Sequence, residues 1–101
     1  MNRVNNKTQL LKDALFLLEN VVWVQGDLRK LDYDTGKPIG YCLVGALDNI
    51  SQYHAEAYHR VLKVIPTSFL SLIDFNDAPS TTKKMVLQVL DTAIGKDTEE
   101  T

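Results

Sequence analysis

The sequence predicts a mainly α-helical, compact small domain of about four helices, with one short β-hairpin around residues 28–41. Apolar residues recur at helical spacing near the start, in the middle and near the end of the chain. A β-branched run and a turn-forming segment follow the first of these stretches. At 101 residues and 45% hydrophobic content, the chain has the size of one domain, which we place at residues 1–95. We expect residues 96–101 to form a flexible polar tail.

The first predicted helix spans residues 8–22, because leucine and alanine repeatedly fall on one helical face. The members of this face are Leu10, Leu11, Ala14, Leu15 and Leu18. Asn5, Asn6 or Thr8 can cap the helix by accepting a hydrogen bond from its first turn.

A β-branched run, Val21–Val24, ends at Gly26, and the segment Asp34–Lys37 is typical of a chain reversal with Gly36 in a left-handed conformation. We expect a short hairpin or an ordered loop over this region. Because two strands alone are barely stable in water, it must pack against the helices.

The remaining helices are predicted over residues 41–52, over residues 54–65, and after a cap at Ser80 or Thr81. Pro66 should end the third helix, and Gly95 should end the last. The apolar segment 67–77 is compatible with a short helix or a strand.

Composition and motifs narrow the possible functions. The net charge is −2 and the basic residues are scattered, so we expect no nucleic-acid partner. The polar start and the lack of an apolar run of about 20 residues favour a cytoplasmic protein without a membrane partner. No phosphate loop, dinucleotide motif or paired-cysteine metal motif is present, so we expect no cofactor and no metal.

Cys42 is the only cysteine and the weak candidate for a catalytic residue. Near a helix N-terminus its thiol pKa would fall, and His54 or His59 could serve as the base. The stronger interpretation is packing, because Cys42, Gly45 and Ala46 form a small-residue strip that lets another element approach closely.

Three other polar segments carry candidate site residues. Asp32, Asp34 and Gly36 resemble the start of a calcium loop, but the later positions of that loop do not match, which favours a turn. A surface bearing tyrosine, histidine and arginine could contact another protein. Its members are Tyr53, His54, Tyr58, His59 and Arg60.

Asn76 and Asp77 precede Pro79 and are typical of a side chain folding back on a turn. A buried Asn-Asp pair could instead anchor the loop Trp23–Asp27 by hydrogen bonds. Trp23, Gln25, Asp27, Asn76 and Asp77 are therefore the candidates for a pocket or a structural site.

The order of the segments WVQG, CLVGAL and NDAP resembles a family of small uncharacterised proteins of actinobacteria and their phages. The resemblance covers most of residues 9–94, although segment 48–70 departs from the pattern. It implies a self-contained domain, encoded by a phage or prophage, and no particular activity.

The leading hypothesis is a non-enzymatic protein-binding module, a phage accessory protein that binds and inhibits a host defence protein in the host cytoplasm. A cysteine-dependent enzyme using Cys42 is the first alternative. The second alternative is a small-ligand binder with a pocket between the Trp23 loop and the Asn76–Asp77 turn. A homodimer is compatible with any leftover apolar face.

Overall fold

A computed structural model describes residues 6–50 and 55–99, which form five helices and three short strands. The helices are α1 (Asn6–Asn20), α2 (Leu43–Ile50), α3 (Ala55–Leu62), α4 (Leu72–Asp77) and α5 (Lys83–Glu99). The strands are β1 (Val22–Trp23), β2 (Arg29–Leu31) and β3 (Pro38–Tyr41). The prediction of a mainly α fold with a short hairpin is confirmed. None of the helices in the described ranges combines the length and apolar character needed to cross a membrane.

The core lies between α1, α5 and the shorter helices. Leu11, Ala14 and Leu18 of α1 are fully buried, as the spacing of its apolar face predicts. Helix α5 contributes Val86, Leu90 and Ala93 at the same spacing. Helix α1 packs chiefly against α5 and α2, so the two longest helices form the frame on which the smaller elements rest.

The three strands form one small sheet in the order β1-β3-β2. Strands β2 and β3 pair antiparallel as the predicted hairpin, and the reversal between them contains Gly36 at φ 73°. Glycine adopts this left-handed conformation without the steric cost that other residues incur. Strand β1 was not predicted: it pairs parallel to β3, with Val22 opposite Gly40.

Several predicted helix ends were wrong. Helix α1 ends at Asn20 because Val22 enters the sheet. Helix α2 begins at Leu43 because Tyr41 belongs to β3, and residues 51–54 lie outside the described part of the chain. Helix α3 ends at Leu62, before the predicted end at 65, and a turn in which Val64 N donates to Val61 O follows.

The ends of the last two helices also differ from the expectation. Only the second half of segment 67–77 is helical: α4 begins at Leu72, and its N-cap Ser71 accepts a hydrogen bond from Asp74 N. Helix α5 is capped by Thr82, which accepts from Met85 N at 3.2 Å, and not by Ser80 or Thr81. It continues through Gly95 to Glu99, so it includes part of the predicted tail.

Candidate binding cleft

Three segments that are distant in sequence meet at the side chain of Asn76, which is fully buried at the end of α4. Its Oδ1 accepts hydrogen bonds from Trp23 Nε1 at 2.6 Å and from Leu43 N at 3.0 Å. Its Nδ2 donates to Val24 O at 3.0 Å and to Asp77 Oδ1 at 2.9 Å. All four hydrogen-bonding positions of the amide are therefore used, as burial of such a group requires.

The neighbouring residues extend this anchor. Gln25 Nε2 donates to Asn76 O at 2.9 Å and to Ala78 O at 3.0 Å, which satisfies carbonyls at the end of α4. Gly26 N donates to Asp77 Oδ1 at 3.0 Å. These hydrogen bonds connect the loop at Trp23, Val24 and Gly26 to a buried Asn76 and an exposed Asp77.

The same anchor caps helix α2. Leu43 N, in the first turn of α2, donates to Asn76 Oδ1, and Gly45 N donates to Cys42 Sγ at 3.2 Å. Cys42 immediately precedes the helix, and its carbonyl accepts from Ala46 N at 2.8 Å. Side chains of the protein thus occupy donors at a helix end that would otherwise need solvent or a ligand.

Gly45 is the point where the loop and α2 come closest. A Cβ at this position would overlap the carbonyl oxygen of Leu28 and would lie 2.8 Å from its carbonyl carbon. Cys42 N also donates to Leu28 O at 3.0 Å. The close approach that the small-residue strip predicts is confirmed at Gly45.

Cys42 is 3% exposed, and this burial raises the pKa of its thiol. Hydrogen bonds from the backbone of Gly45 and Val44 lower the pKa, and the negative charge of Asp77 raises it. Within the described ranges, no histidine is among the groups that act on this thiol. Because the thiolate is the reactive form, this environment favours an inert, protonated Cys42 at neutral pH.

A cleft of about 130 Å³ lies between the anchored loop and α4. Its lining residues come from both sides and from the residue just before α2: Gly26, Asp27, Leu28, Cys42, Ile73 and Asp77. Leu28 and Ile73 form apolar walls and are 48% and 47% exposed. Asp27 and Asp77 are exposed as well, so two carboxylates border an otherwise apolar cleft.

Asp27 and Asp77 are among the site residues predicted from the sequence, whereas Leu28 and Ile73 are not. Ile73 had a usable signal. In α4 the buried positions are Leu72, Phe75 and Asn76, which share one helical face. A helix with that face inward must turn Ile73 toward solvent.

The surface of tyrosine, histidine and arginine that the sequence predicts is separate from the lining of this cleft. Tyr53 and His54 lie outside the described residues. On α3, the rings of Tyr58 and His59 meet edge-on with centroids 6.2 Å apart. His59 is exposed, whereas Tyr58 and Arg60 are half-buried. No residue of α3 lines the cleft described above.

The Asp32 carboxylate accepts hydrogen bonds within the hairpin turn. Its Oδ2 accepts from Thr35 N and from Thr35 Oγ1, both at 2.9 Å. The Thr35 backbone and side-chain hydrogen bonds hold the pKa of Asp32 below its usual value. The interpretation of this segment as a turn is confirmed. In residues 6–50 and 55–99, no three His, Cys, Asp or Glu side chains are grouped to hold a metal ion.

The fold and the site define a small, mainly α domain in which a buried asparagine anchors a loop beside a cleft. A family model described as "Family of unknown function (DUF6197)" matches residues 3–96. Because this match spans most of the chain, the protein belongs to that family. Neither the comparison with curated proteins nor that with solved structures returned a match.

Proposed function

We propose that this chain is a non-enzymatic protein-binding module that engages its partner at the cleft between the loop and α4. The observation that carries the proposal is the exposure of Leu28 and Ile73, which leaves about half of each apolar side chain in water. Both side chains line the same cleft, and exposed apolar side chains that share a cleft are typical of an interaction surface.

The walls of the cleft are held by the hydrogen bonds of the anchor. The Leu28 carbonyl accepts from Cys42 N, and Gly26 is bound to Asp77 at the end of the helix that carries Ile73. A surface that is already ordered loses less conformational entropy when a partner binds. This arrangement supports recognition rather than a catalytic step.

The volume of the cleft favours a protein partner over a free metabolite. Pockets for small molecules typically enclose about 300–1,000 Å³, whereas this cleft encloses about 130 Å³. That space suits the end of one side chain. The small-ligand alternative keeps support from the position of the cleft, which lies between the two segments predicted to border a pocket. Thermal-shift screening against metabolites tests it, because a tight ligand raises the melting temperature.

The enzyme alternative depends on Cys42. Its burial and the raised pKa of its thiol oppose nucleophilic attack. A turnover activity that is lost on Cys42→Ser would overturn the binding proposal.

The family resemblance extends the proposal to a phage or prophage accessory protein that binds and inhibits a host defence protein in the cytoplasm. Phage proteins of this size often act by occupying a host protein, which requires a binding surface and no cofactor. His59 and the half-buried Tyr58 and Arg60 of α3 would offer a second contact surface on the same domain. A second copy of the chain is the alternative occupant.

The decisive experiment is a pulldown from an actinobacterial lysate, read by mass spectrometry, with two matched variants. Ile73→Gln places a polar group on the cleft wall. Leu31→Gln makes the same kind of change at a leucine that is 50% exposed on β2 and does not line the cleft. We expect one stoichiometric partner that is lost with Ile73→Gln and retained with Leu31→Gln. A partner retained by both variants, or none with the unmodified chain, would contradict the proposal.

A further inference from the structure

We infer that the cleft receives one basic side chain, arginine or lysine, from the partner protein. The inference rests on the proposed function, because the partner supplies the basic residue. It is carried by the combination of a narrow cleft, two apolar walls and two carboxylates on its border.

The two carboxylates are available to a cation. Asp77 uses Oδ1 to accept from Gly26 N and from Asn76 Nδ2, and no hydrogen bond among the described residues reaches its Oδ2. Asp27 is exposed, and the described part of the chain supplies no hydrogen bond to its carboxylate. The negative charge of Asp77 also contributes to the raised pKa of Cys42, another residue that lines the cleft.

Among the described residues, none that lines the cleft carries a positive charge to offset these carboxylates. Arg29 follows Leu28 in the chain, but it is an exposed residue of β2 and is not part of the lining. A partner that brings its own cation would therefore meet uncompensated negative charge. Complementary charge of this kind selects a partner and orients it during the encounter.

The apolar walls suit the rest of such a side chain. Lysine and arginine carry methylene stems that pack along apolar surface while the charged end stays near water. Leu28 and Ile73 provide that surface, and the carboxylates at the border meet the charged end. A purely apolar side chain would pack against the two walls, but it would leave both carboxylates beside a nonpolar group.

The test uses the full, ¹⁵N-labelled chain and NMR titration, without any partner. The probe is N-acetyl-arginine amide, and the control probe is N-acetyl-citrulline amide, which has a similar shape and no charge. We follow the backbone amides of Gly26, Asp27, Cys42 and Ile73. We expect these amides to shift together with the arginine probe and to shift at least about threefold less with citrulline, which forms no ion pair with either carboxylate.

Charge-removing variants locate the site. Asp27→Asn should weaken binding about threefold, and the double variant with Asp77→Asn about tenfold, because exposed ion pairs contribute modestly. Asparagine at position 77 keeps a carbonyl oxygen that can accept from Gly26 N, so the loop stays anchored. Asp91→Asn is the control, since Asp91 borders a different groove, between α1 and α5.

The outcomes separate this inference from the proposed function. If the citrulline probe bound as tightly as the arginine probe, the inference that the cleft receives a basic side chain would be wrong. The same would follow if Asp91→Asn weakened arginine binding as much as Asp27→Asn does. Neither result would affect the pulldown. Selective arginine binding together with a pulldown partner lost on Ile73→Gln would support both. Selective arginine binding without any partner would retain the cation site and reject the protein-binding function.

Discussion

Replacing Gly45 by alanine tests the closest contact in the structure. The added methyl group would overlap the Leu28 carbonyl oxygen and would lie 2.8 Å from the carbonyl carbon. Both are backbone atoms, so no side-chain rotation can relieve the overlap. The loop must therefore move away from α2, and the 3.0 Å hydrogen bond from Cys42 N to Leu28 O must lengthen.

The expected cost follows from three contributions. Overpacking of this kind costs about 1–3 kcal/mol, and the weakened hydrogen bond adds about 1 kcal/mol. The higher helix propensity of alanine stabilises the folded state by about 1 kcal/mol and offsets part of this cost. Gly45→Ala should therefore lower the free energy of unfolding by about 1–3 kcal/mol.

The second helical glycine supplies a matched control. Gly95 lies inside α5, and a Cβ added there meets nothing within 4 Å. Gly95→Ala should raise the free energy of unfolding by about 0.5–1 kcal/mol through helix propensity alone. Urea unfolding followed by circular dichroism measures both variants. If Gly45→Ala were neutral or stabilising, the close approach of Leu28 to α2 would be refuted.

Three further predictions concern the anchor, the thiol and the turn. Asn76→Ala should lower the free energy of unfolding by at least about 3 kcal/mol in a urea titration, because Trp23 Nε1 and two backbone groups lose buried partners; a loss below about 1 kcal/mol would contradict the anchor. Cys42 in the native chain should react with iodoacetamide at neutral pH at least about a hundredfold more slowly than in urea, because reaction requires local opening; comparable rates would show an accessible thiolate. Thr35→Ala should raise the pKa of Asp32 toward its usual value in an NMR titration, but not fully, since the Thr35 N–H still donates. Because folding lowers this pKa, the ionised carboxylate supports the turn above its ordinary titration range, and that support is lost as the pH falls through the folded value.

Local pattern was enough to predict the long helices and the hairpin turn. The spacing of Leu11, Ala14 and Leu18 identifies the buried face of α1 because helical periodicity repeats along the chain itself. The left-handed turn at Gly36 likewise depends on neighbouring residues alone. These features need no information about distant segments.

Errors arose where several local solutions have similar energies. Ser80, Thr81 and Thr82 are all competent N-caps, and Thr82 is the one that accepts the hydrogen bond from Met85 N. Gly95 can end a helix or continue it, and the chain remains helical there. The β-branched run Val21–Val24 is a local signal for strand β1, but its parallel pairing with β3 depends on a segment that follows the hairpin turn.

The sequence by itself determined the helical faces and the hairpin reversal, and it offered an Asn76–Asp77 anchor only as an alternative to a local turn. Only the tertiary structure decided that this anchor also caps α2 and holds Leu28 and Ile73 on opposite sides of a cleft. The physical reason is that these hydrogen bonds and backbone contacts join segments that are far apart in the sequence. Their distance along the chain does not tell which of them meet in space. A cleft formed by three such segments exists only after the helices have packed.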